Sequence, residues 1–214
     1  MDGSFCAWID VSVPLSSETP VWTGDPSPVM TALACHEAGD RYHLSEIFMG
    51  LHSGTHIDAP LHFIPGGKDI SQIPLSKLCA RVRVLDASRE HSITENWLKN
   101  KNIQEGEGLL FKTLSPSEGA RQMPSPEEMI ALDASAAVYL VSKKIQVAGT
   151  DSLSIAGLGD LEKVHVSLLE NEVLIIEHLQ LQGVEEGTYE LMALPIKIKG
   201  AEAAPARVLL RRVV

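Results

Sequence analysis

A chain of 214 residues, 44% hydrophobic and 21% charged, has enough apolar side chain for one sizeable core, which excludes a disordered protein. Its formal net charge of −10 and 5% aromatic content repel phosphate backbones, excluding nucleic acid and anionic membrane as main partners while favouring divalent cations. No linker divides it, no basic leader with an apolar run opens it and no stretch approaches a membrane span, so a single soluble, cytoplasmic domain over 1–214 is expected.

The first predicted strand covers 6–15, apolar and β-branched, and is stopped by Pro14 and the polar run 16–19. Next come Pro20-Val21-Trp22-Thr23-Gly24-Asp25-Pro26, a string of turn formers. A large aromatic on such a loop, here Trp22, either packs down as a lid or faces a ligand. Strands are predicted over 29–35 and 44–51, joined by a turn at Gly39-Asp40, with His36 and His43 beside it as solvated or outer-sphere histidines. The cysteines, Cys6, Cys35 and Cys79, are odd in number and far apart; they form neither a disulfide framework nor a C-x-x-C pair and are expected as reduced, buried thiols.

The second strand runs into His52-Ser53-Gly54-Thr55-His56-Ile57-Asp58-Ala59-Pro60-Leu61-His62. Gly54 and Pro60 argue against an interior helix, and Thr55 and Ile57 favour extended backbone. In an extended chain side chains two apart share a face, so His52, His56, Asp58 and His62 would all point to one side. The histidines could each be hydrogen-bonded separately in a polar loop. Grouped with a carboxylate on one face, they have few uses other than a metal site, and imidazole with carboxylate suits zinc, manganese or ferrous iron.

Beyond it lie a flexible loop over 63–69, a short turn or helix around Pro74 over 70–78, and a strand over 80–86 with one solvated face. Thr94 caps a helix over 95–100 and 108–113 reads as a buried strand, an α/β succession. Segment 114–126 is the longest loop, expected as an active-site flap. A helix ending near Lys144 begins either at Ser125, with Pro126 and Glu128 completing a capping box, or at Asp133. A strand over 145–149 leads into the polar run Thr150-Asp151-Ser152-Leu153-Ser154, just past a strand end, where α/β sites gather. Asp160 is the expected cap of a helix over 161–170 carrying His165, with Asn171 as its stop. The nearly continuous apolar strand over 173–179 contains Glu177. A carboxylate there is costly unless it is paired or metal-bound, or unless the strand is an edge and the group faces water. His178 points to the opposite face and is assigned a structural part. Strands over 191–198, broken by Pro195, and 207–214 close the chain.

The segment at 52–62 matches the pattern H-x-G-T-H-x-D-x-P-x-H at every fixed position, and by it the chain resembles the cyclase family of metal-dependent hydrolases, which includes bacterial kynurenine formamidases and isatin hydrolases. The resemblance extends through P-V-W-T-G-D-P at 20–26, G-T-D-S-L-S at 149–154, the stretch 165–177, A-L-P-I-K-I-K-G at 193–200, Pro205 and Arg207. It implies an α/β fold: one compact domain with a mixed, barrel-like central sheet flanked by helices, of the swivelling β/β/α type. It also implies that His52, His56, Asp58 and Glu177 hold one metal ion and Asp58, His165 and Glu177 a second. The ions would be two Zn2+ per chain, or Mn2+, about 3.5–4 Å apart. His62 would be the general acid/base and Trp22 would line the pocket. Thr23 departs from the proline that formamidases often carry after the tryptophan.

The implied reaction is hydrolysis of a carbon–nitrogen bond in a small amide by metal-bound hydroxide, the ions lowering the pKa of water from about 15.7 towards 7. His62 would relay a proton to the departing amine. An aryl formamide such as N-formylkynurenine is the first substrate; a cyclic amide or lactone such as isatin, or the reverse cyclisation, is the alternative. A metal-binding protein without turnover is the rival from another class, but a closed storage site needs no extra base such as His62. Specificity is assigned to the loops near 36–46 and 114–126, and pocket loops completed by a second subunit imply a homodimer or higher homo-oligomer.

Overall fold

Alternating apolar residues along the strands sort the chain into two cores, one on each side of a single sheet. The computed structural model describes residues 7–114 and 123–213. Its strands are β1 (Ile9–Asp10), β2 (Val29–Ala34), β3 (Leu44–Phe48), β4 (His56–Asp58), β5 (Cys79–Asp86), β6 (Gly108–Lys112), β7 (Val147–Thr150), β8 (Leu174–Glu177), β9 (Gly187–Pro195) and β10 (Ala203–Arg212). The helices are α1 (Leu75–Leu78), α2 (Glu95–Lys99), α3 (Ala134–Ser142) and α4 (Leu161–Glu170).

Strands β5, β6, β7 and β8 lie side by side in parallel, with α2, α3 and α4 in their crossovers. On the far side of β8 the pairing turns antiparallel, through β4 and β10 to β9, which pairs back onto β5 and closes a seven-stranded mixed barrel. Leu110, Val147, Leu174 and Ile176 point inwards with Ile57, Val84 and Val208. Their neighbours Leu109, Phe111, Ala148 and Ile175 point outwards against Ala136 and Leu140 of α3 and Val164 and Leu168 of α4. A strand covered on both faces has to be apolar throughout, which explains the unbroken run of β8.

Most predicted elements are present, with several corrections. The first strand is only two residues long, followed by a bridge between Ser12 and Leu179. Asp133 is the start of α3, its carboxylate accepting from the Ala136 N–H at 2.8 Å, while Ser125 and Glu128 meet only in a turn. Asp160 makes no capping bond to α4; its Oδ2 accepts from the Ala134 N–H at 3.2 Å, at the first turn of the neighbouring α3. Strands β9 and β10 begin four residues earlier than predicted, because Gly187–Glu190 pair with β5 and Ala203–Pro205 with β4 where the sequence offers glycine, proline and polar residues. The cysteines are not buried: Cys79 is exposed where β5 begins at the sheet's end, Cys35 is half-buried before an exposed turn, and Cys6 lies outside the described residues. So does 115–122 of the loop expected as a flap.

Strands β2 and β3 form a separate hairpin with apolar side chains in water, among them Met30, 76% exposed, and Phe48, 68% exposed. His36 and His43 stack edge to face on it, 4.7 Å between centroids, as solvated histidines. No helix among the described residues is long and apolar enough to cross a membrane.

Candidate metal centre

The antiparallel register of β4 on β8 sets His56 opposite Glu177 and Ile57 opposite Ile176. With the isoleucines inside the barrel, His56, Asp58 and Glu177 share the outer face, where α4 packs and presents His165. Because β8 lies between β4 and β7, Glu177 is not an edge residue; it is 4% exposed.

The histidine segment is extended only over His56–Asp58. His52 comes from the preceding turn, and Pro60 opens a 3-10 turn, Pro60–His62, that swings His62 back towards the cluster. The extended backbone expected over 52–62, as a strand or taut loop, is thus confined to 56–58, although the side chains converge. Gly54 makes the bend: its φ is +65°, and a Cβ there would lie 2.7 Å from Leu15 Cδ2. Its carbonyl accepts from His56 Nδ1 at 2.9 Å. Gly54→Ala is expected to lower stability by about 1–3 kcal/mol, read as a lower denaturant midpoint of the metal-free protein. An unchanged midpoint would mean that the turn relaxes freely.

Two carboxylates and three imidazoles meet here. His52 Nδ1 is 3.0 Å from Asp58 Oδ1, and His56 Nε2 lies 3.4 Å from both Asp58 Oδ1 and Glu177 Oε2. His165 Nε2 is 3.3 Å from Glu177 Oε1 and 3.8 Å from Asp58 Oδ2. The Nδ1 atoms of His56 and His165 both face backbone carbonyls, of Gly54 and of Leu161 at 2.8 Å, which turns both Nε2 atoms inward. Glu177 Oε1 is steadied by the Ile155 N–H at 2.7 Å and Ser154 Oγ at 3.2 Å, from the polar run beyond β7.

These donors fit a divalent cation. His56 Nε2 and both Asp58 oxygens are buried without a hydrogen-bond partner, a cost that direct coordination removes. Two groups have ligand atoms close enough for one ion each, His52-His56-Asp58 and Asp58-His165-Glu177, with Asp58 common to both. Glu177 enters only the second of these, although it approaches His56 as well.

Charge is balanced internally in the metal-free site. Burial opposes a proton on His56, but Asp58 and Glu177 overcome it and raise its pKa to about 10. Burial also opposes charge on the carboxylates, yet His52 and His56 hold Asp58 well below the usual range, and His165 and His56 bring Glu177 to about 2. At pH 7 His56 is therefore protonated, and a cation that takes its Nε2 must expel that proton. Titrating metal at pH 7 into chelator-stripped protein, in buffers of different ionisation enthalpy, is expected to show release of about one proton or more per ion. Buffer-independent heats would contradict a protonated His56.

His62 belongs to neither ligating group. Its ring centroid is 4.3 Å from that of His52 and 5.9 Å from that of His165, and burial pushes its pKa down, leaving it neutral at pH 7. His178, just past the end of β8 at φ +55°, is buried and in neither group; its carbonyl accepts from Thr55 Oγ1 at 2.6 Å, and burial lowers its pKa to about 4. Above the cluster opens a cavity of about 210 Å³ walled by Trp22, Asp25, Phe63, Leu153 and Leu161. The described residues of 36–46 and 114–126, expected to govern specificity, do not line it. Its walls come from segments distant in sequence: Trp22 and the run 150–154 that holds Leu153 are expected from the sequence, while Asp25, Phe63 and Leu161 are not.

The family model Cyclase matches residues 9–156, and a kynurenine formamidase of Bacillus cereus is 34% identical over 206 residues, 95% of this chain and 97% of that one. The chain belongs to the cyclase family. A kynurenine formamidase of Bacillus anthracis is 32% identical over 205 residues, again 95% of this chain and 97% of that one. Among solved cyclase-like structures, a potential metal-dependent hydrolase with cyclase activity superposes with TM-score 0.84 at 35% identity, covering 97% of this chain and 98% of that one. Isatin hydrolase A from Labrenzia aggregata, bound to benzyl benzoate, superposes with TM-score 0.83 at 23% identity over 97% of this chain and 94% of that one, a likeness of fold. This cyclase-family chain is accordingly an enzyme, a hydrolase that uses a divalent metal.

Proposed function

We propose that the enzyme cleaves the carbon–nitrogen bond of a small aryl formamide, with N-formylkynurenine as its substrate. The observation that carries this reading is the buried set of donors without a hydrogen bond, His56 Nε2 at the floor of an aromatic-walled cavity and Asp58 Oδ1 and Oδ2 beside it. In this reading His52, His56, Asp58 and Glu177 hold one ion and Asp58, His165 and Glu177 the other, zinc in the first place and manganese in the second. When bound, such ions lower the pKa of water to about 7 and polarise a carbonyl.

The rest is done by the chain. Trp22 and Phe63 stack on the aryl ring and hold the amide over the floor. His62, neutral at pH 7 and set against His52 without ligating, takes the proton of the attacking water and delivers it to the departing aniline nitrogen. Ser154 and the Ile155 N–H keep Glu177 from turning as protons move. The kynurenine formamidase relatives, at 32–34% identity, favour the formamide over an isatin-like lactam, whose hydrolase is 23% identical.

A homo-oligomer, dimeric or higher, accompanies this reading, supported by the apolar β2–β3 hairpin left in water; sedimentation velocity tests it. The decisive experiment is release of kynurenine from N-formylkynurenine by chelator-stripped protein reloaded with zinc or with manganese. Activity restored by either ion supports the reading; tight metal binding without turnover would overturn it and send the search to lactams and lactones such as isatin.

A further inference from the structure

The polar groups of the cavity lie in two tiers. The floor is buried, and each of its carboxylates faces imidazole: Asp58 meets His52 and His56, and Glu177 meets His56 and His165. The rim carries one more carboxylate, Asp25, which is exposed and has no hydrogen-bond or ion-pair partner for its side chain among the described residues. The walls between the tiers, Trp22, Phe63, Leu153 and Leu161, offer no countercharge. Asp25 is nonetheless held in place relative to the indole, because its N–H donates to the Trp22 carbonyl at 2.9 Å and closes a turn that Gly24, at φ +98°, allows. Carboxylate and aromatic ring thus form one recognition unit at the mouth of the pocket.

We propose that Asp25 is a specificity-determining residue that accepts a cationic nitrogen of the substrate, carried on a flexible chain attached to the ring carbon next to the scissile formamide. The inference rests on the formamide reading above and extends it, because it names the residue that recognises the ammonium group of such a formamide. A substrate whose formamide sits at the floor with its ring against Trp22 can send the neighbouring chain up to the rim, its ammonium towards Asp25 and its carboxylate turned to solvent. A lactam such as isatin has no group for the upper tier. In this pocket the rim charge, rather than the metal centre, separates the two substrate classes.

The test compares kcat/KM for N-formylkynurenine and for its desamino analogue, 4-(2-formamidophenyl)-4-oxobutanoate, on the zinc- or manganese-loaded enzyme. The natural enzyme is expected to prefer the ammonium-bearing formamide by about tenfold, the scale of a partly exposed charge-assisted hydrogen bond, and the preference should weaken in 0.5 M salt. Asp25→Asn should bring the ratio close to one, and Asp25→Glu should keep most of it. Because the ratio is the readout, general damage to the loop cancels. An unchanged ratio in Asp25→Asn, or no preference in the natural enzyme, would overturn the role of Asp25 while leaving the formamidase reading intact. Failure to hydrolyse either formamide would instead overturn the formamidase reading and this proposal with it.

Discussion

His62→Asn is expected to lower kcat by about 10²–10⁴-fold while the metal content per chain stays at its natural value. The side chain sits on the Pro60–His62 turn, outside both ligating groups, and asparagine keeps its approximate bulk and polarity without a titrating nitrogen. What is lost is a group that holds a proton between attack and departure of the amine. Leaving groups with low pKa need less help. An activated formanilide should therefore lose less rate than N-formylkynurenine in the variant, a contrast that a merely displaced backbone would not produce. Metal analysis of the purified variant decides the matter: if ions leave together with activity, His62 is a ligand and the assignment of roles is wrong.

Asp58→Asn should behave in the opposite way, losing both metal and turnover. Asp58 is the residue common to the two ligating groups, its side chain is wholly buried, and neither oxygen has a hydrogen-bond partner. An amide offers one neutral oxygen where the carboxylate offers two charged ones, so the affinity for each ion is expected to fall by more than about 10²-fold. Activity in stoichiometric metal should then drop below about one thousandth of the natural level, partly restored by a large excess of metal. Far-UV circular dichroism should be unchanged, since β4 keeps its pairing with β8 and β10 whichever group occupies the side chain. A variant that retained its full complement of ions would show that Asp58 is not shared.

Much of this centre is legible in the sequence, for physical reasons that differ from residue to residue. His52, His56, Asp58 and His62 lie within one short segment, and a turn and a strand end bring them together locally. Glu177 betrays itself through the cost of a carboxylate in an apolar strand. His165 has no such signature: one histidine on an amphipathic helix is unremarkable until the helix is docked on β8, and it enters only through the family resemblance. Asp25, Phe63 and Leu161 carry no such signal, because a pocket wall is made by the meeting of segments distant in sequence, which leaves no periodicity to read; Leu153 is marked only as part of the polar run beyond β7. The same holds for the first halves of β9 and β10. Gly187 and Pro205 look like interruptions in isolation, yet pairing across the barrel, Gly187 opposite Val84 and Pro205 opposite His56, carries the strands through them.

The wall elements of the cavity do not carry equal obligations. Leu161 supplies the carbonyl that orients His165, Ser154 supports Glu177, and Phe63 follows directly on His62. The loop bearing Trp22 and Asp25 makes no hydrogen bond to any of the proposed ligands. Changes in the other walls would disturb the catalytic apparatus as well as the fit of the substrate. That loop is therefore the segment an engineer would graft, or natural drift would explore, to retarget this scaffold to a new amide without rebuilding its chemistry.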